Sequence, residues 1–148
     1  MGYKSKAYVA GPFFNKTQVE IVERVKKELD KLGIEYYSPK DECLYTPEND
    51  ITPAEVFMGN IKAIMQSDFI IAITDGKDTG TMFEAGFGWG MRIPILYIWV
   101  NHNHQPFNIM LAESASYVAY GYKEMSDALK EFKASCAFPK YRLKGAVE

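Results

Sequence analysis

Apolar residues in this chain fall into two kinds of block. Some form short unbroken runs, and others recur every three or four positions over longer stretches. Ala7-Tyr8-Val9-Ala10 is a run of the first kind, closed by Gly11-Pro12, and it predicts a buried strand with Tyr8 near its end. Val19, Val22, Val25, Leu29 and Leu32 then recur at helical spacing, with Gly33 as a natural stop. Ile34-Glu35-Tyr36-Tyr37 predicts a second strand, ended by Pro39. Thr52-Pro53-Ala54-Glu55 has the form of a capping box with Pro at the first helical position. It predicts a helix to about Gln66 that feeds the apolar strand Phe69-Ile70-Ile71-Ala72-Ile73. A Gly-rich helix over 80–91, a strand over 95–100, a strand over 118–120 and a helix over 123–132 complete the pattern.

Strands that alternate with helices imply a doubly wound parallel sheet with right-handed crossovers, an α/β fold of five strands with helices on both faces. The 148 residues suit one domain, 1–148. Such a domain buries roughly 70% of its unfolded surface, enough for a substantial core. Residues 40–51 carry Asp, Glu, Asn and Pro without periodicity. A connection this long in so small a domain is expected to be a functional or mobile loop. Residues 134–148, with Phe138 and Tyr141, are too apolar for a plainly disordered tail and should dock on this subunit or on a neighbour.

Charge narrows the function classes. A formal net charge of -2 offers no clustered basic excess with which to track a nucleic acid polymer. Lys and Arg instead interleave with acidic residues, as in Glu23-Arg24-Val25-Lys26-Lys27-Glu28. Cys43 and Cys136 are too few and too far apart for a Cys-x-x-Cys metal site and read as reduced thiols of a cytoplasmic protein, with no signal peptide. No apolar run approaches the 18 or so residues of a membrane span.

The densest chemical signal is Asp78-Thr79-Gly80-Thr81-Met82-Phe83-Glu84-Ala85-Gly86. It follows a buried strand, and in an open α/β sheet ligands are held at the carboxyl ends of strands. Glu84 stands among Met82, Phe83, Ala85 and Phe87, with no i,i+4 partner because Gly80 and Gly88 occupy those positions. A carboxylate walled by apolar side chains can act as a nucleophile toward an electrophilic sugar carbon. Asp78 suits either a ligand contact or a helix N-cap. Gly80, Gly86, Gly88 and Gly90 lower helix propensity, which close approach of a ligand or ordinary helix packing would each explain. Tyr8 and Gly11-Pro12-Phe13-Phe14-Asn15 would line the same sheet edge, for stacking on a flat ring or for core packing. Phosphate-binding Gly motifs after a strand are absent. His102 and His104 lie in a polar loop without a carboxylate or Cys at ligand spacing and read as solvated, so no metal or cofactor is expected.

Tyr8-Val9-Ala10-Gly11-Pro12-Phe13-Phe14-Asn15, Asp78-x-Gly-x-x-x-Glu84-x-Gly86 and Asn108-Ile109-Met110, in that order, resemble the nucleoside 2-deoxyribosyltransferase family. The likeness runs to the closing Lys144-Gly145-Ala146-Val147. It implies a flavodoxin-like (Rossmann-like) subunit in a homo-oligomer, from dimer to hexamer, whose active sites are shared between subunits. It implies exchange of the base of a 2'-deoxynucleoside for a free nucleobase, with retention at C1' and slow hydrolysis as a side reaction. Glu84 would be the nucleophile and Tyr8 would orient it. Asp78 would bind the sugar 5'-hydroxyl. Asn108 and Met110 would reach in from the adjacent subunit, and Gly11 and Phe13 would line the substrate site. Asn60 stands where many members carry an Asp, and an amide can hydrogen-bond to a leaving base but cannot protonate it. Two other functions fit parts of the pattern. A 2'-deoxynucleoside 5'-monophosphate N-glycosidase would keep the fold and the Glu, with Ser expected in place of Asp78 and Asn108. A non-catalytic nucleotide-sensing module would not need Tyr8, Asp78 and Glu84 together.

Overall fold

The computed structural model describes residues 4–42, 44–141, 143 and 145–148. Cys43 and Lys144, which the sequence reading invoked, lie outside the described residues. The blocks resolve into β1 (Lys6–Ala10), α1 (Lys16–Leu32), β2 (Glu35–Tyr37), α2 (Pro39–Glu42), α3 (Pro53–Met65), β3 (Phe69–Ile73), α4 (Thr79–Gly90), β4 (Ile95–Ile98), α5 (Ile109–Ser114), β5 (Tyr117–Ala119) and α6 (Tyr122–Ser135). The strands pair in parallel in the order β2-β1-β3-β4-β5. The fold is therefore the α/β doubly wound sheet that the pattern implies, with its order reversing between β1 and β3.

Successive strand residues point to opposite faces, which divides the core in two. Ala7, Val9, Phe69, Ile71, Leu96 and Ile98 pack against α1 and α6 through Val22, Val25, Leu29, Met125 and Leu129. Tyr8, Ala10, Ile70, Ala72, Ile95 and Tyr97 face the other way, toward Ile64 of α3, Ala85 of α4 and Ala112 of α5. β3 is buried at all five positions because it is central and covered on both faces.

Local chemistry sets the helix ends. Asn15 caps α1 by accepting from the Gln18 N–H, and Gly33 ends it with φ 65°, a conformation that glycine adopts without a Cβ clash. Thr52 and Glu55 form the reciprocal capping box at the start of α3. Gly88 lets α4 approach the sheet, because a Cβ there would collide with the Ile70 side chain. Gly86 and Gly90 face open space.

The structure amends the sequence reading at several points. Tyr8 is central in β1 instead of near its end. Residues 39–42 form a helical turn, and α5 occupies a segment whose short length hid its periodicity. β4 stops at Ile98 because the N–H groups of Val100 and Asn101 donate to the Asp75 carboxylate at 2.8 and 2.7 Å. Tyr120 leaves β5 for a like reason, since its N–H donates to Glu124. The tail docks on its own subunit. Phe138 packs on Phe69 and Phe132, and residues 146–148 pair with the backbone of Phe107 and Ile109. Among the described residues, no helix is long and apolar enough to cross a membrane.

Candidate active site

The site is built where β3 hands over to α4. Gly76 (φ 85°) and Lys77 (φ 49°) turn the chain sharply, and Asp78 then caps α4. One carboxylate oxygen of Asp78, Oδ2, accepts from the Thr81 N–H at 2.7 Å and from the Thr81 hydroxyl at 2.8 Å. Among the described residues, no hydrogen bond engages Oδ1. Asp78 is thus a helix cap whose second oxygen lies outside the cap, so a cap does not preclude a ligand contact.

Asp78, Thr81 and Glu84 of this junction, Gly11 and Phe13 after β1, and Asn60 of α3 line one cavity of about 820 Å³. Leu44, Tyr45 and Thr46 close another side, so the long connection after β2 contributes a wall of the site. Gly11 sits close against Ile73, since a Cβ there would lie 2.7 Å from Ile73 Cδ1. A second chamber of about 460 Å³ adjoins the first and shares Glu84, Asn60 and Tyr45 with it. The rings of Phe57 and Phe83 line it, with centroids 6.0 Å apart.

Burial dominates the electrostatics. It raises the Glu84 carboxyl from 4.5 to about 7; the Tyr8 hydroxyl works against that rise and the negative charge of Asp78 adds to it. Glu84 is thereby poised near neutrality, where a carboxylate can be both available and reactive. Tyr8 is fully buried, and among the described residues its hydroxyl makes no hydrogen bond of normal geometry. Burial, and then the nearby Glu84 charge, hold that hydroxyl protonated far above the usual phenol range. A permanently protonated donor beside a carboxylate can orient it without taking its place as an acid or base.

Tyr37 belongs to this group, and the sequence reading passed over it. It pairs with Tyr8 in the β1/β2 register, and the two rings stack at 5.6 Å with an interplanar angle of 12°. Its hydroxyl donates to Asn60 Oδ1 at 3.3 Å. The available signal was positional, because parallel neighbours that share a face put both tyrosines on the α3/α4 side.

Asn108 and Met110 stand apart from Glu84 within the subunit. Asn108 caps α5, accepting from the N–H groups of Met110 and Leu111, and borders a different cavity of about 310 Å³ beside Thr74, Met82 and Trp99. Met110 is 74% exposed. His102 is not simply solvated, since its ring packs edge-on against Trp99 and Tyr120, whereas His104 is exposed. Among the described residues, no group of three or more His, Cys, Asp or Glu is arranged to hold a metal ion.

The sequence profile of the nucleoside 2-deoxyribosyltransferases matches residues 7–137. A search of curated proteins returned no match. Among solved structures, a 2-deoxyribosyltransferase from Bacillus psychrosaccharolyticus superposes with a TM-score of 0.78 at 24% identity, over 93% of this chain and 100% of that one. A conserved protein from Enterococcus faecalis V583 gives 0.61 at 19% identity, over 99% and 91% of the two chains. A CMP N-glycosidase from Clostridium botulinum gives 0.59 at 17% identity, over 86% and 99%. At these identities the superpositions establish a common fold.

Proposed function

We propose a specific reaction from the premise that this chain belongs to the nucleoside 2-deoxyribosyltransferase family, enzymes that act on nucleoside N-glycosidic bonds. The protein transfers 2-deoxyribose from a 2'-deoxynucleoside to a free nucleobase through a covalent intermediate on Glu84. The observation that carries this reading is a carboxylate raised to about 7 by burial, beside a buried tyrosine hydroxyl and inside a cavity that also holds Asp78.

The Glu84 carboxylate attacks C1' as the N-glycosidic bond breaks, and the electron pair of that bond leaves with the base. The incoming base attacks C1' of the resulting ester, releases Glu84 and gives up its N–H proton to solvent. Two displacements at one carbon give net retention, and water in place of the base gives slow hydrolysis. Tyr8 orients the nucleophile. The free oxygen of Asp78 accepts from the sugar 5'-hydroxyl. Asn60 cannot give a proton, so the departing base takes one from solvent.

A 5'-phosphate would bring about two negative charges toward Asp78. Unit charges 4 Å apart interact by roughly 4 kcal/mol at an effective dielectric of 20. That repulsion favours the nucleoside over the 5'-monophosphate as substrate. Asn108 and Met110 serve a neighbouring subunit's site. An inactive Glu84 variant mixed with an inactive Asn108 variant should therefore regain partial activity in a two-fold assembly.

Incubation with 2'-deoxyinosine and free adenine tests the reading. New 2'-deoxyadenosine is the expected product. Release of free base alone, or turnover of the 5'-monophosphate at a comparable kcat/KM, would replace it with an N-glycosidase. No turnover of either would leave a sensing module.

A further inference from the structure

Tyr8 and Tyr37 are direct neighbours across β1 and β2, and each turns its hydroxyl toward a different polar group of the cavity. Tyr8 serves Glu84, where the sugar carbon would be attacked. Tyr37 donates to Oδ1 of Asn60, which lines both chambers alongside Glu84. A carboxamide has one acceptor end and one donor end, in fixed opposition. With Oδ1 engaged by Tyr37, the end left for a ligand is the NH₂ group, and among the described residues no protein acceptor engages it.

We propose that Tyr37 is a positioning residue that holds the Asn60 carboxamide with its NH₂ toward the cavity, so that the site selects nucleobases presenting a ring-nitrogen or carbonyl acceptor to that donor. The inference rests on the base-exchange reading above for the identity of the ligand. An unrestrained carboxamide could rotate and offer its oxygen instead, which would repel the electron-rich edge of a departing base. With the donor held in place, charge that develops on the base is met by an N–H without proton transfer. The arrangement discriminates among leaving groups. A base that leaves readily as an anion needs this hydrogen bond least, and a poor leaving group needs it most.

Tyr37→Phe retains the ring stack on Tyr8 and removes only the hydroxyl, and an unchanged melting temperature would verify that the fold is kept. The test is a double-mutant cycle with Tyr37→Phe, Asn60→Ala and both together, read first as adenine affinity by calorimetry. Each single change should weaken adenine about 3- to 10-fold, the range of one hydrogen bond, and the double variant should be no weaker than Asn60→Ala alone. The second readout is deoxyribosyl transfer from donors whose bases differ in acidity. Tyr37→Phe should slow donors with poor leaving bases more than those with good ones, whereas a purely structural defect would slow all donors equally. Multiplicative losses in the cycle, a uniform loss across donors, or no adenine binding by the wild-type protein would overturn the proposal. If the cycle is non-additive while no deoxyadenosine is made, the exchange reading fails and the assignment of Tyr37 stands.

Discussion

The two faces of the sheet are built from the same strands and differ in what they hold. The α1/α6 face is sealed mainly by apolar side chains, including Leu29, Phe69 and Phe132, and its buried Glu28 is paired with Lys31. The α3/α4 face buries the Tyr8 hydroxyl beside Glu84, stacks Tyr37 on the Tyr8 ring, and sets Glu84 where burial opposes its ionisation. Burying a polar group costs free energy, and burying a carboxylate costs more. One face therefore supplies stability and the other carries a local cost that holds a carboxylate against ionisation. Alternation along a strand lets a chain of 148 residues do both within one sheet.

The sharpest break of this contrast is at Glu84. Its replacement by Gln should lower transfer by about 10³-fold or more, as expected when a nucleophile is removed. The same change should stabilise the fold at alkaline pH. The folded carboxyl binds its proton more tightly than the unfolded one, so the wild-type protein loses stability as pH rises from 4.5 to about 7. Gln escapes that loss, and denaturant melts at pH 5 and pH 8 should show the variant gaining up to about 3 kcal/mol on the wild type between them. Equal pH dependence of the two proteins would remove Glu84 from its assigned setting.

The opposite face should respond in the opposite sense. Leu29→Ala empties a fully buried position and should cost about 2–5 kcal/mol of stability while leaving kcat of the folded protein unchanged. A kcat that fell with stability would mean that the two faces are coupled.

Tyr8→Phe probes the contrast at a single hydroxyl. That hydroxyl lowers the Glu84 pKa, so its loss should move the ascending limb of the kcat/KM profile above about 7. Activity should fall several-fold near neutrality and recover toward alkaline pH. A limb that stayed in place would show that Tyr8 does not act on Glu84.

The smallest effects come from two glycines of α4. Gly88→Ala drives a methyl into Ile70 and should destabilise by about 1–3 kcal/mol. Gly86→Ala meets open space and should stabilise by about 0.5–1 kcal/mol. A loss at Gly86 as large as that at Gly88 would place another surface against α4.

Much of the architecture was legible in local pattern. The capping box at Thr52, the stop at Gly33 and the apolar run 69–73 each depend on residues within a few positions of one another, so their physics is contained in the sequence. Elements decided by distant partners were not legible. The end of β4 depends on Asp75, 25 residues before Val100, which captures two backbone N–H groups. α5 is only six residues long, and its first N–H donates to the distant carbonyl of Glu148.

The candidate site divides in the same way. Asp78 and Glu84 lie on one turn and the helix that it opens, so their spacing alone marked them, and residue type together with the family likeness marked Tyr8 and Asn60. The sequence by itself determined which strands form, the capping box at Thr52 and the stop at Gly33, and which carboxylate stands without a local ion partner. Tertiary structure alone decided that Tyr37 lies beside Tyr8, that its hydroxyl takes the acceptor end of Asn60, and that Glu84 titrates near neutrality. Hydrogen-bond direction and desolvation depend on atoms brought together from β1, β2, α3 and α4, and no window along the chain contains them all.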